Sequence, residues 1–213
     1  MSSPHEPRCV GPVAMVKQAV RKRYAVGVAR RQQILEAALE LFSVQGYRGA
    51  PMADVAAKVG LTLAGVLHYF PSKEELLAAV LEYRDDADTP WFEEKWHETN
   101  SFRRSVHDLV ARSMESPQVM RLFVTLSAES TDPEHPAHGY FKERYRKSRQ
   151  LFSAVFAEAK ERGEVVPDAS GPMLIAVLDG LQVQWLLEPD FDLLGELDRY
   201  IDSITPSPLR ASV

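Results

Sequence analysis

The chain has 213 residues, 45% of them hydrophobic, and a formal net charge of −5 at pH 7, which suits a sizeable core in one small and one larger domain. No apolar run reaches the roughly 18 residues of a membrane-spanning helix, and the first residues, MSSPHEPRCVGPVAMVKQ, lack the continuous apolar stretch of a signal peptide. Cys9 is the single cysteine, so an intrachain disulfide is excluded and a reducing, cytoplasmic setting is expected.

Residues 1–29 read as a basic, flexible N-terminal arm. Residues 1–31 carry seven lysines and arginines against Glu6 alone, so the rest of the chain is acidic on balance. Such an arm can neutralise phosphates or enter a minor groove, or it can be a solvated tail. For Arg8 and Lys17 both readings stay open; Arg21 to Arg31 are placed on DNA by their closeness to the helices of residues 30–70. Arg30 to Tyr47 predicts an amphipathic helix with Ile34, Leu35, Ala38, Leu41 and Phe42 on its apolar stripe and Gly46 as its stop. Pro51 suits the first turn of the next helix. In MADVAAKVGLTLAGVLHYF, Met52 to Phe70, a short helix stops at Gly60 and Thr62 offers its hydroxyl to the start of a second short helix. Helix, glycine-containing turn and helix form the unit that reads DNA in the major groove. Ser72 and Glu75 then have capping-box spacing, and Leu76, Leu77, Val80 and Leu81 continue an apolar stripe.

The segments ILEAALELFSVQGYRGA and MADVAAKVGLTLAGVLHYFPSKEELLAAVL resemble the TetR family of transcriptional regulators, with Tyr69-Phe70 and Ser72 to Leu77 especially typical. The resemblance covers residues 30 to 84. It implies an all-α fold: a three-helix helix-turn-helix domain with its linking helix at 30–84, a larger helical effector-binding and dimerisation domain at 85–205, and a flexible tail at 206–213. It places Thr62, Leu63, Ala64, Gly65, Leu67 and His68 towards DNA. Thr62 caps the reading helix and touches a phosphate, and Leu63 or Ala64 meets a thymine methyl. His68 and Tyr69 donate to phosphates, Lys73 adds a cation at the next helix start, and Arg30 and Arg31 complete the set. Many family members carry Lys or Arg where Leu63 stands, and Thr and Tyr where Gly65 and Leu67 stand. Hydrogen-bonded readout is therefore expected to be thin, with apolar contacts, the arm and DNA shape contributing.

Further along, helices are predicted from Thr89-Pro90, from Ser101, from Ser116-Pro117, from Tyr140 to a stop at Gly163, after Asp168, and after Pro189-Asp190. Met173 to Leu187 is apolar almost all round. The resemblance implies that the last two helices pair with those of a second copy, with Leu178, Leu181, Trp185, Leu194, Leu197 and Ile201 in the dimer interface. A two-fold homodimer then reads a palindromic operator in double-stranded DNA. Trp91, Trp96, Met114, Met120, Phe123, Leu126, Phe152, Phe156 and Trp185 are candidates to line an effector pocket, or are plain core. The resemblance further implies a repressor that a small molecule releases by tilting the helix from Ser72 to Arg84.

Glu129, His135 and His138 flank the break TDPEHPAHG, but prolines disrupt the face a metal site would use, so no metal and no cofactor are expected. The chain has no GxSxG, Walker, Rossmann or CxxC pattern, so no catalytic residue is nominated and an enzyme is not expected. The other readings are an activator or dual regulator of the same family, a helical metal-binding sensor, or an enzyme.

Overall fold

A computed structural model describes the backbone of residues 12–206 and the side chains from Ala25 onwards. The expectations for the side chains of Arg8, Cys9, Lys17 and Arg21, and for the tail 207–213, lie outside these residues. Among the described residues there are nine helices and no strand: α1 Pro12–Gly49, α2 Met52–Lys58, α3 Leu63–Tyr69, α4 Lys73–Thr99, α5 Phe102–Met114, α6 Pro117–Glu129, α7 His138–Glu161, α8 Gly171–Leu187 and α9 Leu193–Ile204. None of them is long and apolar enough to cross a membrane.

The local stops follow the chemistry of the chain. Gly46 breaks α1 with φ of 75°, and Gly60 ends α2 with φ of 66°, both in the left-handed region open to glycine. Thr62 Oγ1 accepts from the Gly65 N–H at 3.1 Å, and Ser72 Oγ from the Glu75 N–H at 3.1 Å. Pro51 stands one residue before α2, as its N-cap, in extended conformation. Asn100 ends α4 at φ of 47°, a conformation asparagine tolerates better than most residues.

Two boundaries differ from the sequence reading. The helix expected to begin at Arg30 extends back to Pro12, so the described part of the expected arm is helical backbone. The helix expected to open at Thr89-Pro90 does not start anew: α4 runs through Pro90 as one 27-residue helix. A proline inside a helix removes one hydrogen bond at a cost of about 3 kcal/mol. Here it is offset by packing on both sides, since Leu76, Leu77, Val80, Leu81, Phe92 and Trp96 are all buried. The division drawn between residues 84 and 85 therefore falls in the middle of a helix.

α4 threads two apolar cores. The first gathers Ile34, Leu35, Phe42, Val55, Val66, Phe70, Leu76, Leu77 and Leu81 with Leu122, Leu126 and Phe141 from α6 and α7. The second gathers Phe92, Trp96, Phe102, Val106, Phe152, Phe156, Leu174, Leu178, Leu193, Leu197 and Ile201. Between them α4 presents Arg84, Asp85 and Asp88, a polar band on the helix that joins the two.

Candidate DNA interface and regulatory cavity

The reading surface is built from α3 and its flanks. Thr62, Leu63, Ala64, Leu67 and His68 are exposed, Gly65 and Tyr69 are half-buried, and Val66 and Phe70 are anchored in the core. Leu63 and Leu67 count among the few large apolar side chains left open to solvent. A Cβ on Gly65 would lie 3.4 Å from Thr62 Oγ1, an ordinary contact, so the fold itself does not demand glycine there.

The basic residues around α3 are held in place. The Arg30 Nη1 group donates to the Val59 carbonyl at 3.4 Å, at the end of α2. The Arg31 guanidinium lies 4.9 Å from the Phe70 ring centre. Lys73 Nζ donates to the Arg48 carbonyl at 3.3 Å and sits 4.7 Å from the Tyr47 ring centre. Burial lowers the Lys73 pKa from its usual value, against the pull of Glu74. Tyr47 reaches Glu74, and burial first, then Glu74, pushes its pKa up to about 12. Arg30 and Lys73 thus brace the head as well as adding charge to it. Thr62→Ala is expected to lower stability by about 1 kcal/mol, the usual worth of a lost N-cap. Urea denaturation of the purified variant checks this, and an unchanged midpoint would deny the cap any role.

In the regulatory part, the structure revises the pocket expected from sequence. Trp96, Phe152 and Phe156 are solid core, Leu126 belongs to the core under the reading head, and Trp91, Met114 and Trp185 pack against the second core. Met and aromatic residues at helical spacing serve here as filling. Met120 and Phe123 of that set line a cavity of about 80 Å³ between α4, α5, α6, α7 and α8. Its remaining walls are Arg84, Asp85, Asp88, Ser113, Ser116, Val119, Arg144 and Gln182.

These polar residues form a linked set that sequence reasoning missed. Arg144 Nε donates to Asp85 at 3.1 Å, and the Tyr140 hydroxyl reaches the other Asp85 oxygen at 2.5 Å. Arg84 Nε lies 3.0 Å from Asp88, and Arg112 Nε donates to Asp88 at 3.4 Å. Tyr145 donates to Asp179 at 2.8 Å, and burial with that bond pushes the Tyr145 pKa up to about 12. Burial also pushes the Asp88 carboxyl up, against the pull of Arg84 and Arg112. A signal for the set was present: Arg84, Asp85 and Asp88 continue the stripe of Leu77 and Leu81 towards Phe92, so charges occupy core-facing positions.

The residues weighed as metal ligands act as loop fasteners. His135 Nδ1 accepts from the Ala137 N–H at 3.2 Å, and His138 Nδ1 lies 2.8 Å from the Ser130 carbonyl oxygen, to which it donates. Among the described residues no group of three His, Cys, Asp or Glu gathers as a metal would require.

The expected dimer interface also needs correction. Leu197 and Ile201 are 0% and 1% exposed inside the subunit, and Leu178 and Leu181 are buried beside them. They close the second core between α8, α9 and their neighbours. Trp185 and Leu194 stay partly open. The free apolar face of α8 is instead Met173, Ala176, Gly180, Val183 and Leu187, spaced alternately by three and four residues. α8 is apolar on both sides, so periodicity could not say which side faces inwards.

A helix-turn-helix head with an exposed reading helix, joined by one continuous helix to a larger all-helical part, is the architecture of a DNA-binding regulator. The sequence profile of the bacterial regulatory proteins of the tetR family matches residues 34–80, and that of the BetI-type transcriptional repressor C-terminal part matches residues 99–205. The chain belongs to the TetR family of transcriptional regulators. It is 27% identical over 175 residues to an HTH-type transcriptional regulator from the dhlA 5′ region of Xanthobacter autotrophicus, covering 79% of this chain and 86% of that one. In fold it is similar to Escherichia coli NemR in its reduced form, with TM-score 0.73 at 19% identity over 84% of this chain and 98% of the other. It is likewise similar to a transcriptional regulator from Saccharomonospora viridis solved with choline, with TM-score 0.68 at 21% identity over 81% and 93% of the two chains.

Proposed function

We propose that the chain is a dimeric repressor that holds a palindromic operator and is released by a small-molecule effector. The observation that supports this best is the continuity of α4. Its first turns are buried in the core of the reading head, and its next turn supplies Arg84, Asp85 and Asp88 to the cavity wall. A ligand that prefers one arrangement of that wall biases the position of the head, by no more than its difference in affinity between the two arrangements. The match of residues 99–205 to a repressor C-terminal part supports the sign of regulation. The choline complex of the S. viridis protein is an instance of this fold holding a small molecule. The outward stripe of α8 supplies the face for a second copy, so that two α3 helices meet major grooves about 34–36 Å apart, one DNA turn. Leu63, Ala64 and Leu67 read thymine methyls, while Arg31, His68, Tyr69 and Lys73 hold phosphates.

Selection of bound sequences from random duplex DNA, at a stated salt concentration, tests the reading. An inverted repeat is expected, and recovery of no motif would overturn it. On the selected operator, the pair Arg31→Glu with Lys73→Glu should weaken binding about 100-fold and flatten the salt dependence by roughly one unit for each lost phosphate contact. Because Lys73 also fastens the Arg48 carbonyl, a circular-dichroism melt of the same variant separates a folding defect from a lost contact.

A further inference from the structure

The charged groups around the cavity are unequally engaged. Both oxygens of Asp85 are engaged, by Arg144 Nε and by the Tyr140 hydroxyl. Both oxygens of Asp88 are engaged as well, by Arg84 Nε and Arg112 Nε. The guanidinium groups are in the opposite condition. The contacts of Arg84, Arg112 and Arg144 to Asp88 and Asp85 run through Nε, which leaves their terminal nitrogens out of these pairs. Two of these arginines, Arg84 and Arg144, line the cavity itself. The charged groups of the wall that still face a ligand without a counter-charge in contact are therefore the terminal N–H donors of permanent cations, while every oxygen of the two carboxylates already faces a donor.

We propose that this cavity takes a small organic carboxylate, bound by the terminal nitrogens of Arg84 and Arg144; the inference rests on the reading of the cavity as the effector site. A planar carboxylate matches the two-pronged donor edge of a guanidinium. A cationic ligand would have to displace an arginine from Asp85 or Asp88 and leave that arginine without its counter-charge, which is costly in a partly buried site. The volume of about 80 Å³ admits only a short carbon skeleton. Val119, Met120 and Phe123 form the apolar wall for it, and the Phe123 ring already lies 5.2 Å from the Arg144 guanidinium carbon. Gln182 and Ser116 add polar groups at the rim.

The same wall provides a route from such a ligand to the DNA. Asp85 and Asp88 belong to α4, whereas Arg112 belongs to α5 and Arg144 to α7. The two carboxylates latch α4 to the rest of the regulatory part. A ligand carboxylate on Arg144 competes with Asp85 for that guanidinium, loosens the latch between α4 and α7 and lets α4 shift the reading head.

Isothermal calorimetry on the full chain without DNA tests the site directly, with sodium acetate and sodium pyruvate as probes. Sodium chloride at equal ionic strength, acetamide as the neutral analogue and choline chloride as a cation are the comparisons. Saturable binding of acetate or pyruvate and none of acetamide is expected. It should weaken at least ten-fold in Arg144→Gln and persist in Asp88→Asn. If Arg144→Gln does not fold, Arg84→Gln, whose carboxylate partner lies on its own helix, reads the same ligand contact. Acetate and pyruvate behaving like chloride would overturn the assignment, as would choline binding that Asp88→Asn abolishes. Operator binding by the unliganded chain is measured separately, so failure of the regulator reading and failure of the carboxylate site show up in different experiments.

Discussion

The double substitution Val183→Glu with Leu187→Glu should turn the protein into a folded monomer whose operator affinity falls by about 10²- to 10⁴-fold, the usual gain from joining two binding modules. Val183 is 41% exposed and Leu187 80%, on the same face of α8 as Met173 at 57%. An apolar row of this kind on a monomer's outer helix marks an interface. Ala176 and Gly180 between them leave room for a partner helix to approach closely. Charges on this face cost little in the subunit alone, because nothing of its own core touches it, but two copies would bury like charges against each other. Analytical ultracentrifugation and an operator titration report the two effects together. A variant that stays dimeric with full affinity would remove α8 from the interface. Leu197→Glu provides the contrast: Leu197 is 0% exposed inside the second core, so that change should unfold the subunit instead of parting two intact ones.

Leu81→Ala should cost about 2–5 kcal/mol, the range for truncating a fully buried leucine. Leu81 is 0% exposed, in the core that joins α1, α2 and α3 to α6 and α7, one turn before the polar band. At about 2–4 °C per kcal/mol for a chain of this size, the melting midpoint should fall by roughly 10 °C. The loss should also reach DNA binding, because α4 would no longer hold its angle to the head. Guanidinium denaturation followed by tryptophan fluorescence measures the first effect, and a titration with the operator measures the second. A loss under about 1 kcal/mol would mean that the site collapses around the gap and that α4 is held elsewhere.

The reading head was legible because its signals are local. Gly46, Gly60, Thr62 and Ser72 act within one turn of where they stand, through φ above zero or one hydrogen bond to a neighbouring N–H. The apolar stripe of Ile34, Leu35, Ala38 and Phe42 declares its inward side because its other side is charged. Locality failed at Pro90, where the residue's own preference is to end a helix. Phe92 and Trp96 are pinned to a core that the surrounding sequence does not show.

The regulatory half was only partly legible. Trp96, Phe152 and Phe156 have the same side chains whether they line a hollow or fill one, so composition cannot separate a pocket from a core. Leu178 is expected at a partner yet closes the subunit, because α8 is apolar on both faces and its spacing does not say which one faces inwards. Arg84, Asp85 and Asp88 stood in view in the sequence. Their counterparts Arg112, Tyr140 and Arg144 lie between 24 and 59 residues away, and no spacing rule joins them.

The order of residues alone is enough for the all-helical class and for the helix-turn-helix head with its stops and caps, since each of these depends on residues within a few positions of one another. Packing in three dimensions decides that α4 is a single rod through two cores, that charged side chains of α4 and α7 meet at the cavity, and which face of α8 stays exposed. Those depend on which distant groups are brought within a few ångströms, where burial and charge pairing set the energy.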